Sequence, residues 1–428
     1  MASVFRRRHS CRVSVRSRVV VVGVLLLGAA LAAGFLAVGL NLRGSRPAGV
    51  ALTLSDTDIL LVRGHGFPSG AEITVDLVGG DLTASAPARA DPHGRFLLTF
   101  TLPMDFSGTV SVTARSGAVT ARGSLPVTVW DTRGKLSGLP WLSGVHMANE
   151  LPPYLAFGAW RGRPIDVAMV FTIRDQGWGP ISEPSWPLDD FAPFPGKLVI
   201  SQPPFPEGQG GNAECARGAY DGHWRQFGAF LVRKNRADSI VRIGWEFNGT
   251  YMYWHADANA KNFTECFRRI ATAIRSTDPM VKIDWTFNAH NSPVPSSGNP
   301  WDAYPGDEYV DVVGIDAYDH YPPSRDEATW KRQCESANGL CHLIRYAREH
   351  SRKVGVGEWG VTSCSGDGGG DNSFYVRKMY DTFVANADVM GYESYFHDSA
   401  PDNVCSAIMN GGQNARSAAE YRRLFGGS

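Results

Sequence analysis

The sequence predicts an α/β protein: a (β/α)8 TIM barrel preceded by a small β-sandwich, with a transmembrane helix at the N-terminus. Three observations predict it. From about Gly134 onward, short apolar segments alternate with helix-like ones. Between Val50 and Trp130 the chain offers only short strand-like runs separated by Gly, Pro, Asp and Ser. Val19 to Leu40 carries no charge at all, and such a run is long enough to cross a bilayer as a helix.

Residues 1–18 contain six Arg and no acid. Positive charge ahead of an apolar run places the N-terminus in the cytoplasm and everything beyond Arg43 outside it. The expected order is a basic tail (1–18), a signal anchor (19–40) and a linker (41–49). The alternative is a signal peptide cleaved near Ala30-Leu31-Ala32, which also exports the remainder. The cysteines fit export. Cys11 lies on the cytoplasmic side, whereas Cys215, Cys266, Cys334, Cys341, Cys364 and Cys405 form an even set in the exported part. An oxidising compartment favours disulfides for such a set. Closeness in sequence pairs Cys334 with Cys341. Adjacent loops pair Cys364 with Cys405, and adjacent helices pair Cys215 with Cys266. The spacings match no zinc site, so neither metal nor cofactor is expected. With 42 basic and 42 acidic residues, nothing points to a nucleic-acid partner.

Within 50–130, about seven short strands with alternating apolar residues read as a sandwich. The stretch VRGHGFPSGAEITVDL and the hairpin DPHGRFLLTF resemble those of bacterial immunoglobulin-like modules. That resemblance implies an immunoglobulin-like β-sandwich, and the lack of clustered acids or His in it reads as a spacer or adhesion module.

The barrel is expected over 134–428. Its strands read at 141–148, 165–173, 197–202, 239–247, 281–287, 310–318, 353–360 and 389–396. Most are continuous apolar runs, as strands covered on both faces should be. Helical stretches separate most of them, among them 219–235, 259–276, 325–351 and 371–387, and 414–425 closes the series. An open doubly wound sheet is the rival, but no Gly-rich phosphate turn follows the first strand.

Barrel enzymes place their chemistry at the C-terminal ends of strands. Glu246, between Trp245 and Phe247, ends the fourth strand, and Glu358 ends the seventh. Gly355 and Gly357 leave little bulk beside Glu358, which suits close approach of a ligand. Strands four and seven face one another across the mouth, so two carboxylates converge there. Glycoside hydrolysis requires such a pair, one protonated and one ionised. The aromatic neighbours of Glu246 would raise its pKa, which suits the acid.

The segment WEFNGTYMYW, the run VDVVGIDAY (310–318), the ending Glu358-Trp359-Gly360 and the early FGAWRGRPIDVAMVF occur in that order. Together they resemble glycoside hydrolase family 26, a family of retaining (β/α)8 glycosidases typified by β-mannanases. The resemblance implies that Glu246 is the general acid/base and Glu358 the nucleophile. Tyr318 is expected to hydrogen-bond Glu358, and Asp316 to line the same mouth. Asn248, Tyr251, Trp254, Trp359, Trp245 and His146 complete the expected substrate-binding set. Trp245 replaces the family's usual His and Tyr251 its usual Trp. Both positions touch the sugar nearest the cleaved bond, so the departures bear on the backbone sugar and not on the mechanism. Trp178, Trp186, Tyr253 and Trp301 are further stacking candidates, and His290 a further hydrogen-bonding one. Two sequons, at Asn248 and Asn262, read as coincidental. The expected activity is a retaining β-glycosidase acting on a polysaccharide outside the cytoplasm. A cell-surface carbohydrate-binding or adhesion protein with an inactive barrel is the alternative.

Overall fold

The structure of the protein, a computed structural model, describes residues 47–55, 59–80, 82–102, 107–128, 135–409 and 413–427. The anchor expected at 19–40 lies outside them. Among the described residues no helix is long and apolar enough to cross a membrane. The chain divides into two compact units after Trp130.

The first unit holds β1 (Gly49–Ser55), β2 (Ile59–His65), β3 (Glu72–Gly79), β4 (Leu82–Arg89), β5 (Phe96–Thr101), β6 (Ser107–Ser116) and β7 (Val119–Thr128). These strands form two antiparallel sheets, β1-β2-β5 and β4-β3-β6-β7. Strand β3 shows the logic. Ile73, Val75 and Leu77 are buried while Glu72, Thr74 and Val78 are exposed, because successive strand residues point to opposite faces. The buried set meets Leu60, Val62, Leu98 and Phe100 of the other sheet in one core. Strand β4 escaped the sequence reading. LTASAPAR is poor in branched residues, and it lies at a sheet edge, where Pro87 is tolerated.

The second unit is a closed barrel of eight parallel strands. They are β8 (Leu142–His146), β9 (Val167–Phe171), β10 (Lys197–Gln202), β11 (Ile240–Ile243), β12 (Lys282–Asn288), β13 (Val312–Tyr318), β14 (Lys353–Gly360) and β15 (Met390–Phe396). The helices are α1 (Leu151–Arg161), α2 (Trp178–Ser182), α3 (Ser185–Leu188), α4 (Asn212–Ala216), α5 (Asp221–Arg233), α6 (Lys261–Arg275), α7 (Glu327–Glu335), α8 (Leu340–Glu349), α9 (Ser373–Ala385) and α10 (Ala415–Phe425). Every residue of β10, β11 and β13 is buried, which is why these strands read as mainly apolar runs. Helix α6 turns Phe263, Phe267, Ile270, Ala271 and Ile274 inward at helical spacing.

Two elements differ from the sequence reading. The stretch 325–351 is two helices. Asp326 caps α7 through the Thr329 amide, and Ser336 adopts an extended conformation that ends it before Gly339 starts α8. The fourth barrel strand stops at Ile243, not at 247. Gly244 there takes a left-handed φ of 54°, and 245–250 form turns.

Three disulfides tie the helices and loops: Cys215–Cys266, Cys334–Cys341 and Cys364–Cys405, with Cα separations of 4.9, 4.9 and 5.4 Å. Cys215 on α4 reaches Cys266 on the buried face of α6. Cys334 and Cys341 bracket the α7–α8 break. Cys364 and Cys405 join the loops after β14 and β15.

Candidate active site

A cleft of about 920 Å³ opens at the C-terminal ends of the barrel strands and contains both Glu246 and Glu358. The two arrive by different routes. Glu358 is the sixth residue of β14, beside Asp316 in the register with β13. Glu246 lies three residues beyond β11 with φ of 53°. A left-handed conformation costs a non-glycine residue about 1–2 kcal/mol, and packing has to hold it. That hold is visible. The Glu246 amide donates to the Thr286 carbonyl at 3.1 Å, and the Asn248 side chain clamps the end of β12. Asn248 donates to the Asn288 carbonyl at 2.8 Å and to Ser292 Oγ at 2.7 Å, and accepts from the Asn288 amide at 2.8 Å.

The carboxylates meet opposite surroundings. Glu246 is 8% exposed, and Asn288 donates to its Oε1. Burial first, and then the negative charge of Glu358, push its pKa up to about 7, against weaker opposing pulls from Asn288, Arg242 and Tyr251. Glu358 accepts a hydrogen bond on each oxygen, from Arg242 Nη1 at 3.2 Å and from Tyr318 Oη at 2.8 Å.

Arg242 is the hinge of this arrangement, and the sequence reading missed it. A charge inside the buried strand IVRI was the available signal. Fully buried, it donates to Asp316 Oδ2 at 2.5 Å, Ser201 Oγ at 2.8 Å and the Met169 sulfur at 3.0 Å besides Glu358. A Cβ at position 357 would fall 2.6 Å from its guanidinium carbon, and one at 355 would fall 2.8 Å from Asp284 Oδ2. Gly355 and Gly357 therefore make room for buried polar side chains inside the barrel, which corrects the expectation that they admit a ligand.

Of the other expected residues, Trp245, Tyr251 and Tyr318 line the cleft with the two glutamates. Tyr251 is 65% exposed. His290 lines it too, its Nε2 2.9 Å from the Tyr318 carbonyl oxygen. Five others do not line it. Asn248 is turned to β12 as described. Asp316 is fully buried against Arg242, and its carboxyl is raised well above its usual range chiefly by burial. Trp254 is buried behind Trp245 and donates to its carbonyl at 2.8 Å. Trp359 points outward from the barrel, against Tyr421 and Phe425, and donates to Glu393. His146 is wedged between Phe171 and Phe396, with Nδ1 3.0 Å from the Met169 carbonyl oxygen. Trp178, Trp186, Tyr253 and Trp301 are also absent from the lining. Trp178 stacks on His223, and Trp301 packs tilted against Tyr346. Residues that the sequence did not single out do line it: Phe171, Asn288, His320, Tyr321 and Phe396. Four of them sit at or just after strand ends, but no local pattern separates those facing the mouth from those facing the helices.

The catalytic domain of a family 26 endo-β-1,4-mannanase from Bacillus sp. JAMB-750 is 14% identical, covering 68% of this chain and 87% of that one at a TM-score of 0.49. A modular endo-β-1,4-mannanase from Cellulomonas fimi is also 14% identical, covering 68% of this chain and 71% of that one at a TM-score of 0.49. In sequence, 108 residues are 29% identical to a mannan endo-1,4-β-mannosidase of Bifidobacterium adolescentis, 24% of this chain but only 11% of that protein. Residues 232–349, which carry Glu246, Arg242, Asn288, Asp316 and Tyr318, match the model of glycosyl hydrolase family 26.

Proposed function

We propose that the barrel is a retaining glycoside hydrolase acting on a β-linked polysaccharide outside the cytoplasm, with Glu246 as general acid/base and Glu358 as nucleophile. The observation that carries this is the contrast between two carboxyl groups in one cleft. Burial and a neighbouring charge keep a proton on Glu246 up to near-neutral pH. Each Glu358 oxygen is held by a donor, Arg242 on one and Tyr318 on the other, which fixes its direction. In the first step a Glu358 oxygen bonds to the anomeric carbon while Glu246 passes its proton to the departing glycosidic oxygen. In the second, Glu246 takes a proton from water, whose oxygen displaces Glu358 from the same carbon. Tyr318 and Arg242 hold the nucleophile in place, and Asn288 orients the acid. The family match on 232–349 supports this reading, and so do the mannanase relatives, although the sequence relative is matched over a small part of its length. Three disulfides support an oxidising compartment.

The test uses an activated aryl β-glycoside with azide. Glu246→Ala should complete the first step and give the β-glycosyl azide. Glu358→Ala should give only the α-azide, because azide then enters from the vacated face. Reversed products would exchange the two roles. Absence of hydrolysis by the wild-type protein on β-mannan, mixed-linkage β-glucan, β-xylan and envelope glycans would overturn the enzyme reading in favour of a binding protein.

A further inference from the structure

We propose that Tyr321 is a platform on which a second sugar residue of the substrate stacks, so that the cleft grips the polysaccharide beyond the ring held between Glu246 and Glu358. This rests on the hydrolase reading above and adds a binding residue to it.

Most large aromatic side chains of the barrel are buried or half-buried. Among the described residues three are exposed, Trp186, Tyr251 and Tyr321, and the last two line the cleft. Tyr321 is 56% exposed. A single apolar side chain at a surface needs no function. Tyr321 differs in how its position is held. It lies three residues beyond β13, and its φ of 52° is left-handed. That conformation is unfavourable for a bulky residue and persists only where the surroundings impose it.

The surroundings here are explicit. The Asp319 amide donates to the Gly360 carbonyl at 3.1 Å, and the Gly369 amide donates to the Asp319 carbonyl at 2.9 Å. The fully buried Asp319 carboxyl accepts from the Ser324 amide and from Asn372 Nδ2, both at 2.7 Å. Asn372 Nδ2 also donates to the Ser324 carbonyl at 2.8 Å. Gln333 Nε2 donates to the Tyr318 and His320 carbonyls at 3.3 and 3.4 Å. The loop is thus tied to β14, to the segment after it, to α7 and to the start of α9. A left-handed residue and a buried carboxyl are both unfavourable, and the ring they present gains little by burial. What the arrangement offers is a fixed flat surface at the cleft.

His320 packs against that ring at 4.3 Å between centroids, and His290 stands edge-on to His320 at 4.8 Å. Burial lowers His290 to about 4 and His320 to about 3, so the platform carries no charge at neutral pH. A pyranose turns an apolar C–H face to such a ring and keeps its hydroxyls in water. The cleft, at about 920 Å³, is toward the upper end of ligand pockets and has room for more than the one ring at the carboxylates.

The full chain is assayed on β-1,4-linked manno-, gluco- and xylo-oligosaccharides of two to six units and on aryl β-glycosides of the single sugars. Tyr321→Ala should lower kcat/KM on the longer oligosaccharides by about 5- to 30-fold, through KM, and leave the aryl glycosides within about twofold. Tyr321→Phe should match wild type, because the ring face and not the hydroxyl is used. Asn372→Ala, which loosens the loop with the ring intact, should show a smaller loss on the same long substrates. An equal loss of Tyr321→Ala on short and long substrates, or no loss at any length, overturns the platform and leaves the hydrolase reading standing. Titration calorimetry with the hexasaccharides separates the two in the other direction. A wild type that hydrolyses none of these substrates, nor the polysaccharides named above, yet binds a hexasaccharide more tightly than Tyr321→Ala does, keeps the platform and loses the hydrolase reading. Neither hydrolysis nor Tyr321-dependent binding overturns both.

Discussion

Glu246 and Glu358 share one cleft but belong to different kinds of structure. Glu358 is part of strand β14, at a bulge where the pairing with β13 skips Gly357, and is held by two donors. Glu246 stands on a turn in a left-handed conformation, fixed by clamps to the next strand. Strand geometry suits a nucleophile, which needs a set direction of attack. A turn among aromatics suits an acid, which needs burial to retain its proton. Under the proposed roles, the difference teaches that function follows backbone setting as well as side-chain identity.

The largest test of this contrast removes the nucleophile. Glu358→Ala should lower kcat by about 10⁴-fold or more on every substrate, read in initial rates, since no covalent intermediate can form. If activated substrates survived this change, the contrast would be drawn backwards. Removing the acid should cost less and depend on the leaving group. Glu246→Ala should lose about 10²- to 10⁴-fold on polysaccharide and far less on an activated aryl glycoside. The wild-type kcat/KM should fall above about pH 7, where Glu246 gives up its proton. That alkaline limb should be missing from Glu246→Ala assayed with the activated substrate.

A milder change sharpens the strand side. Gly357→Ala places a Cβ 2.6 Å from the Arg242 guanidinium carbon. The displaced guanidinium should misplace Glu358 and lower kcat by about 10- to 100-fold with KM little altered. The smallest effect concerns the turn side and stability. Glu246 binds its proton more tightly folded than unfolded, so between its ordinary 4.5 and about 7 the folded state holds more protons. Its contribution to stability is therefore complete below about 4.5 and is lost as pH rises through 7. Glu246→Gln should be more stable than wild type at pH 8 by on the order of 1 kcal/mol, with no such gain at pH 4.5, measured by denaturant unfolding at both.

Much of the fold was legible because parallel strands buried on both faces leave continuous apolar runs. Strands such as β10 and β14 fall where KLVISQ and KVGVGEWG place them. The fourth strand misled at its end. Ile-Gly-Trp-Glu-Phe looks like strand by composition, yet Gly244 turns the chain out of the sheet. The break between α7 and α8 was hidden because both flanks carry helix-forming residues. Arg242 was legible in principle as a lone charge in a buried strand. Asn288, Phe171 and Phe396 were not, since a polar or aromatic residue at a strand end is common on either face.

What the sequence by itself determined is local: eight apolar runs in order, two glutamates at the fourth and seventh, and six cysteines in neighbouring elements. Residue type and spacing along the chain are enough for these. Only the tertiary structure decided which side chains share the cleft. It turned Trp254, Trp359, Asp316 and Asn248 away and brought Phe171 and Phe396 to the same rim from strands far apart in sequence. The physical reason is closure. A side chain's direction at a strand end depends on the register of the neighbouring strands and on the turns that leave them, and those are set by contacts across the whole barrel.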